Sequence, residues 1–200
     1  SMISEKKRKT SLLEYRSLFP LFGMWIVFII SRYLYDQVGI RFQGDTYLYY
    51  WQFIDPVLLR TDLLRSIFYL HSQPPLLNLF TGIMLQAFPA VHETVFHALY
   101  FITGLIFGAS IYYLGIFLRF PPWLSAVISA WFMISPGTVL YEHWLTYAYP
   151  LTCALTLAGV FLYQFLHTKK IYWGLLFFAL LGCIALTWSL FHIAWLLGIT

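Results

Sequence analysis

Charge is what this sequence has least of. Only 10% of its 200 residues are Asp, Glu, Lys or Arg, against the roughly 25% usual in a soluble domain, and this scarcity excludes a water-solvated globule. Cysteine is nearly absent too. Cys153 and Cys183 fall inside apolar runs, where a thiol acts as a small hydrophobe, so no disulfide framework is implied. No small-residue cleavage site follows the first apolar run, which makes that run an anchor and not a signal peptide. No internal repeat or low-complexity segment is present. The few basic residues leave a net charge of +4 and cluster beside apolar runs, which points to anionic lipid headgroups and away from nucleic acid.

What is present is hydrophobicity. Apolar residues make up 60% of the chain and the mean hydropathy is +0.74, the profile of a polytopic, all-α integral membrane bundle. At about 20 residues per span, 200 residues allow about five to seven crossings. Apolar runs fall at 18–35, 75–88, 95–118, 121–141, 148–166 and 171–188, and another begins near 190. The initial Ser1-Met2 reads as a tag-cleavage remnant, and the apolar end at Ile199-Thr200 leads us to expect an N-terminal module of something longer.

The run at 75–88 decides the topology. Its 14 residues rise only about 21 Å as a helix, against a hydrocarbon core of about 30 Å. If it does not cross, Lys6, Lys7, Arg8, Lys9, Arg16, Arg119, Lys169 and Lys170 share one side, eight of the twelve basic residues. This satisfies the positive-inside rule. Residues 1–17 then form a basic cytoplasmic N-terminus, and 36–94 form a long first outer loop containing interfacial helices. The outer side carries Asp36, Asp45, Asp55, Asp62, Glu93 and Glu142 against Arg32, Arg41, Arg60 and Arg65.

Within that loop Asp55-Pro56 reads as a helix start. Over 56–70, Leu58, Leu59, Leu63, Ile67 and Leu70 fall near one face, as for a helix lying in the interface. Asp62 is spaced as an i,i+3 partner of Arg65. Ser135-Pro136-Gly137 would break the following span, and Pro150 would open the next. Asp45 follows Gly44 and precedes Tyr47, Tyr49, Tyr50 and Trp51. Beside those aromatic walls its carboxylate would be partly desolvated and a better base toward a hydroxyl; the same Gly-Asp-Thr serves equally as a turn or cap. Arg60 and Arg65 suit either a phosphate or the interface, by snorkelling. His71-Ser-Gln73-Pro-Pro fixes a loop backbone before a short apolar helix. Glu142-His143, among Tyr141, Trp144, Tyr147 and Tyr149, reads as a second acidic site or as an aromatic belt. His192 would lie near the outer end of the sixth apolar run, and His167 at the inner interface. No motif calls for a cofactor. His92, Glu93 and His97 are spaced as metal ligands without a fixed fourth, which leaves a divalent metal open.

The order of these parts resembles the GT-C glycosyltransferases that use polyprenyl-phosphate sugars, among them protein O-mannosyltransferases and aminoarabinose transferases. The match lies in Gly44-Asp45 with Tyr49-Tyr50-Trp51 after the first span, then His71-Ser-Gln-Pro74-Pro75-Leu76, then Ser135-Pro136 with Glu142. The resemblance implies a GT-C-like module over 18–200 that moves a sugar, with inversion, from a polyprenyl-phosphate donor to a hydroxyl of a protein, lipid or glycan acceptor. It places the site on the periplasmic, extracellular or lumenal face. It makes Asp45 the catalytic base and counts Glu142, His143 and Tyr49 among the substrate-binding residues. Thr46 stands where many members carry a second acid, and Gln73 where some carry a phosphate-binding Lys, so the phosphate falls to Arg60, Arg65, His71 or His192. Two other readings are carried forward: a transporter or flippase, for which a broken span is a signature, and a catalytically incomplete fragment.

Overall fold

A computed structural model describes residues 2–70 and 75–188, with side chains from Leu18 onward. Its regular structure is helical: α1 (Met2–Gln37), α2 (Pro56–Thr61), α3 (Leu63–Phe68), α4 (Pro75–Ala87), α5 (His92–Phe117), α6 (Pro122–Ile134), α7 (Pro136–Glu142), α8 (Ala148–Thr168) and α9 (Ile171–Thr187). The chain is an all-α membrane bundle. Leu18–Gln37 of α1, α5 and α8 are long and apolar enough to cross a bilayer, and α6 with α7 make a fourth such length bent by 63°. The expected span at 171–188 appears as the 17-residue α9, which rises only about 25 Å. It packs Phe177, Leu181 and Ile184 against Leu151 and Ala158 of α8. The run expected near 190 lies outside the described residues.

Two short turns mark one end of the bundle. Arg119 and Lys169 adopt positive φ, 66° and 56°, and close α5 and α8 through bonds such as Phe120 N to Gly115 O at 3.0 Å and Lys169 N to Phe165 O at 2.8 Å. A left-handed residue costs an L-amino acid about 1–2 kcal/mol, which a cation at the negative end of a helix partly offsets. The opposite end gathers the close of α1, the start of α5, the close of α7 and the start of α8. Phe42, just past α1, stacks on His97 of α5 with ring centres 5.2 Å apart. The close of α1 and the start of α5 therefore meet at the same end of the bundle.

The loop folds as a small helical layer. Asp55 caps α2, its Oδ1 accepting from Val57 N at 2.7 Å, and Pro56 supplies the first turn. The continuous helix expected over 56–70 breaks at Asp62, whose φ −142° and ψ 50° are not helical. The i,i+3 geometry with Arg65 is lost there, and the two do not pair: the one ion pair among the described residues lies elsewhere. Leu59 and Leu63 are buried, as expected of the inward face, whereas Leu58 is exposed. They pack onto α4, where a Cβ at Gly82 would collide with Leu63, and Gln86 Nε2 donates to Leu59 O at 3.0 Å. Asn78, 1% exposed, fastens the preceding loop: its Oδ1 accepts from Ile54 N at 2.8 Å and its Nδ2 donates to Gln52 O at 3.0 Å.

Asn78→Leu keeps the volume but strands both backbone groups, each at about 1–3 kcal/mol. The expected outcome is faster hydrogen exchange at the Ile54 amide and a lower unfolding temperature in detergent. Unchanged exchange at Ile54 would show that the clamp contributes nothing.

Candidate functional site at the α1–α5–α7 end

The site begins with the broken span. Ser135 precedes a proline, which disfavours helical geometry, and it is extended at φ −62° and ψ 140°. A break leaves the last carbonyls of α6 without helical partners, a cost of several kcal/mol each in a lipid environment. Here the last three are met by protein. Phe132 O accepts from Ser135 Oγ at 2.8 Å, Met133 O from Arg32 Nη1 at 2.8 Å, and Ile134 O from Tyr35 Oη at 3.1 Å. Two of these three donors come from α1.

Arg32 does more than close the break. Its Nε donates to both oxygens of Glu142 at 3.0 Å, and Nη2 also bonds Oε2. Tyr149 Oη donates to the same Oε2 at 2.9 Å, and the Phe28 ring lies under the guanidinium at 4.2 Å. Arg32 is 6% and Glu142 2% exposed. This close approach requires Gly104, where a Cβ would stand 2.6 Å from Phe28 Cζ and 2.9 Å from Tyr149 Oη. Arg32 was expected as a free outer base and Glu142 as a site-lining acid. The structure instead ties them together, because separate charges inside a lipid-embedded bundle are costly.

Next to this pair opens a cleft of about 520 Å³. Ile29, Arg32, Tyr33 and Asp36, at i, i+3, i+4 and i+7 of α1, form one wall. Ile40, Arg41 and Phe42, then Glu93, Thr94, His97 and Phe101 of α5, and His143 form the rest. Gln43 bridges the walls: its N donates to His143 O at 2.7 Å and its O accepts from Leu145 N at 3.2 Å. Gly44 lies against Glu93, with a Cβ there 3.2 Å from Glu93 Cγ. Since Glu142 neutralises Arg32, the ionised groups left for a ligand are Arg41, Asp36 and Glu93, none in an ion pair among the described residues. Two further hollows flank the pair. A mostly apolar groove of about 500 Å³ runs between α1 and α6 along Val27, Ile30, Leu34, Val38 and Ile134. Another, of about 410 Å³, sits at the break beside Thr138 and Tyr149.

The expected site residues are scattered around this geometry. Asp45 leads the Thr46–Leu48 turn and is exposed, and its side chain makes no cap bond. Neither the aromatic desolvation nor the cap expected of it is present. Thr46 and Tyr47 take the interior instead, with Tyr47 Oη bonded to His92 Nε2 at 3.1 Å. Asp45 is nonetheless two residues past Gln43, so its turn is tethered at the cleft. Tyr49, Arg60 and Arg65 are exposed and outside the cleft wall. His143 is buried in that wall. His71, Gln73 and His192 lie outside the described residues. His92 holds Pro89 O and Tyr47, and among the described residues no His, Cys, Asp or Glu cluster could hold a metal. Sequence reasoning missed Asp36, Arg41 and His97 as cleft residues. The signal available was the polar stripe Arg32, Tyr33 and Asp36 at the end of an apolar run. No family model matches the chain, and no curated protein or solved structure is significantly similar to it.

Removing one partner of the buried pair should cost about 3–5 kcal/mol, and replacing both with apolar residues much less. Thermal unfolding in detergent is expected to show Arg32→Met and Glu142→Leu each strongly destabilised, with the double variant recovering most of the loss. Additive losses in the double variant would contradict the coupling.

Proposed function

We propose that the chain is a membrane glycosyltransferase of GT-C type that moves a sugar from a polyprenyl-phosphate donor to an acceptor hydroxyl. The observation that carries this reading is the division of α1 into two adjacent faces. Ile29, Arg32, Tyr33 and Asp36 face the polar cleft, and Val27, Ile30 and Leu34, with Val38 just past the helix, face the apolar groove. An amphiphile with a polar head and a long apolar tail fits this pair of surfaces. The acceptor oxygen attacks the anomeric carbon, and the bond from that carbon to the phosphate oxygen breaks with its electron pair leaving on the phosphate. Asp45 takes the acceptor proton. A phosphodiester leaving group needs charge neutralisation more than protonation, and Arg41 is the unpaired cation of the cleft. By the positive-inside rule the end bearing Arg119, Lys169 and Lys170 is cytoplasmic and the cleft faces the periplasm, lumen or exterior.

The transporter reading draws on a different observation, the buried Arg32–Glu142 pair beside a broken span. One experiment separates the two: transfer from a panel of radiolabelled polyprenyl-phosphate sugars to acceptors in liposomes, with wild type and Asp45→Asn side by side. The expected result is wild-type transfer and a loss of at least about a hundredfold in the variant, the scale of a general base. Sugar counts that cross the bilayer without any transfer would favour transport.

A further inference from the structure

Resting on the proposed transfer reaction, we infer that the cleft is polarised. His143 Nε2 accepts a hydrogen bond from a hydroxyl of the donor sugar at its floor, and Arg41 holds the phosphate at its mouth. His143 is 7% exposed and lines the cleft. Its Nδ1 lies 2.9 Å from Val139 O. A carbonyl oxygen only accepts, so Nδ1 carries the proton, and in the neutral ring Nε2 keeps a lone pair. No described residue hydrogen-bonds to that nitrogen. The ring is also fixed in place: its backbone N donates to Val139 O at 3.0 Å, its carbonyl accepts from Gln43 N at 2.7 Å, and His97 packs 5.9 Å away between it and Phe42.

A lone pair held this way discriminates. It repels a phosphate oxygen, which can only accept, and it welcomes a hydroxyl, which can donate. Tyr33, Thr94 and His97 also line the cleft and can each donate or accept, and its charged groups are of both signs. Asp36 and Glu93 are acceptors, Arg32 is neutralised by Glu142, and Arg41, exposed and unpaired among the described residues, is the remaining fixed donor charge. The exposed carboxylates of Asp36 and Glu93 with one guanidinium match a polyhydroxylated ring joined to a single anionic ester. The buried His143 and the exposed Arg41 set the donor's direction, with a hydroxyl toward the close of α7 and the phosphate toward Arg41.

The test uses the full chain in phosphatidylcholine nanodiscs and two short probes, decyl phosphate and mannosyl decyl phosphate, with binding measured by calorimetry. His143→Asn, which preserves the Nδ1 position and loses the acceptor, is expected to weaken the mannosyl probe about tenfold and leave decyl phosphate unchanged. His143→Gln can place its amide oxygen where Nε2 stands and should restore most of the affinity. Arg41→Gln should weaken both probes. Equal effects of His143→Asn on both probes, or none on either, would overturn the inference while the transfer reading stands. If wild type bound neither probe, that reading itself would fall, and the inference with it. A second measurement needs no variant: among monodeoxy mannosyl probes on wild type, one position should lose about tenfold, and uniform binding across the series would refute the hydroxyl contact.

Discussion

A guanidinium and a carboxylate that cannot be left apart in a lipid-embedded bundle determine much of this structure. Arg32 and Glu142 are 110 residues apart in sequence, and their pairing makes α1, α7 and α8 meet at one point. Arg32 spends Nη1 on Met133 O and the rest of its head on Glu142, so a single side chain both closes the broken span and neutralises the acid that follows it. Tyr149 adds α8 through the same carboxylate, and Gly104 keeps α5 clear of the contact. With Arg32 fixed, the rotation of α1 is fixed. Tyr33 and Asp36 must then face the cleft, and Leu34 the groove.

The loop layer depends on a second, smaller constraint. Its chain makes few regular bonds between Gly39 and Asp55, and it is held by side chains and backbone groups from elsewhere. Asn78 serves Gln52 and Ile54, Gln43 pairs with His143 and Leu145, and Tyr47 reaches His92. These bonds hold the Asp45 turn beside the cleft although Asp45 itself touches little.

What the sequence made legible was local. Apolar runs mark the ends of the long helices to within a few residues, except that α1 begins at Met2, well before its run at 18–35; prolines mark several starts and breaks, and Arg119, Lys169 and Lys170 sit in the short turns of one end. The failures came where local spacing met a non-helical backbone or a distant partner. Asp62 and Arg65 are spaced for a continuous helix, and the backbone breaks at Asp62 itself. The aromatics after Asp45 do not wall it in, because within that turn Tyr47 points inward while Tyr49 points out. Arg32 and Glu142 each looked like an end-of-span residue, and no period in the sequence joins them. An arginine three residues before the end of an apolar run is the one sign that a buried partner was required.

The state of the break bears on which cavity is the site. In carriers built on broken helices, the unwound carbonyls and helix ends are left available to ions and substrate. Here Phe132 O, Met133 O and Ile134 O are already taken by Ser135, Arg32 and Tyr35, and Glu142 is saturated by Arg32 and Tyr149. Freeing Met133 O or Glu142 would disturb the buried pair. The cleft is the reverse case: Arg41, Asp36 and Glu93 lack ion-pair partners among the described residues, and the Nε2 edge of His143 lacks a hydrogen bond. Unspent polar groups converge on the end of the bundle and not on its broken middle. That distribution leaves polar contacts available to a ligand at the cleft and not along the break.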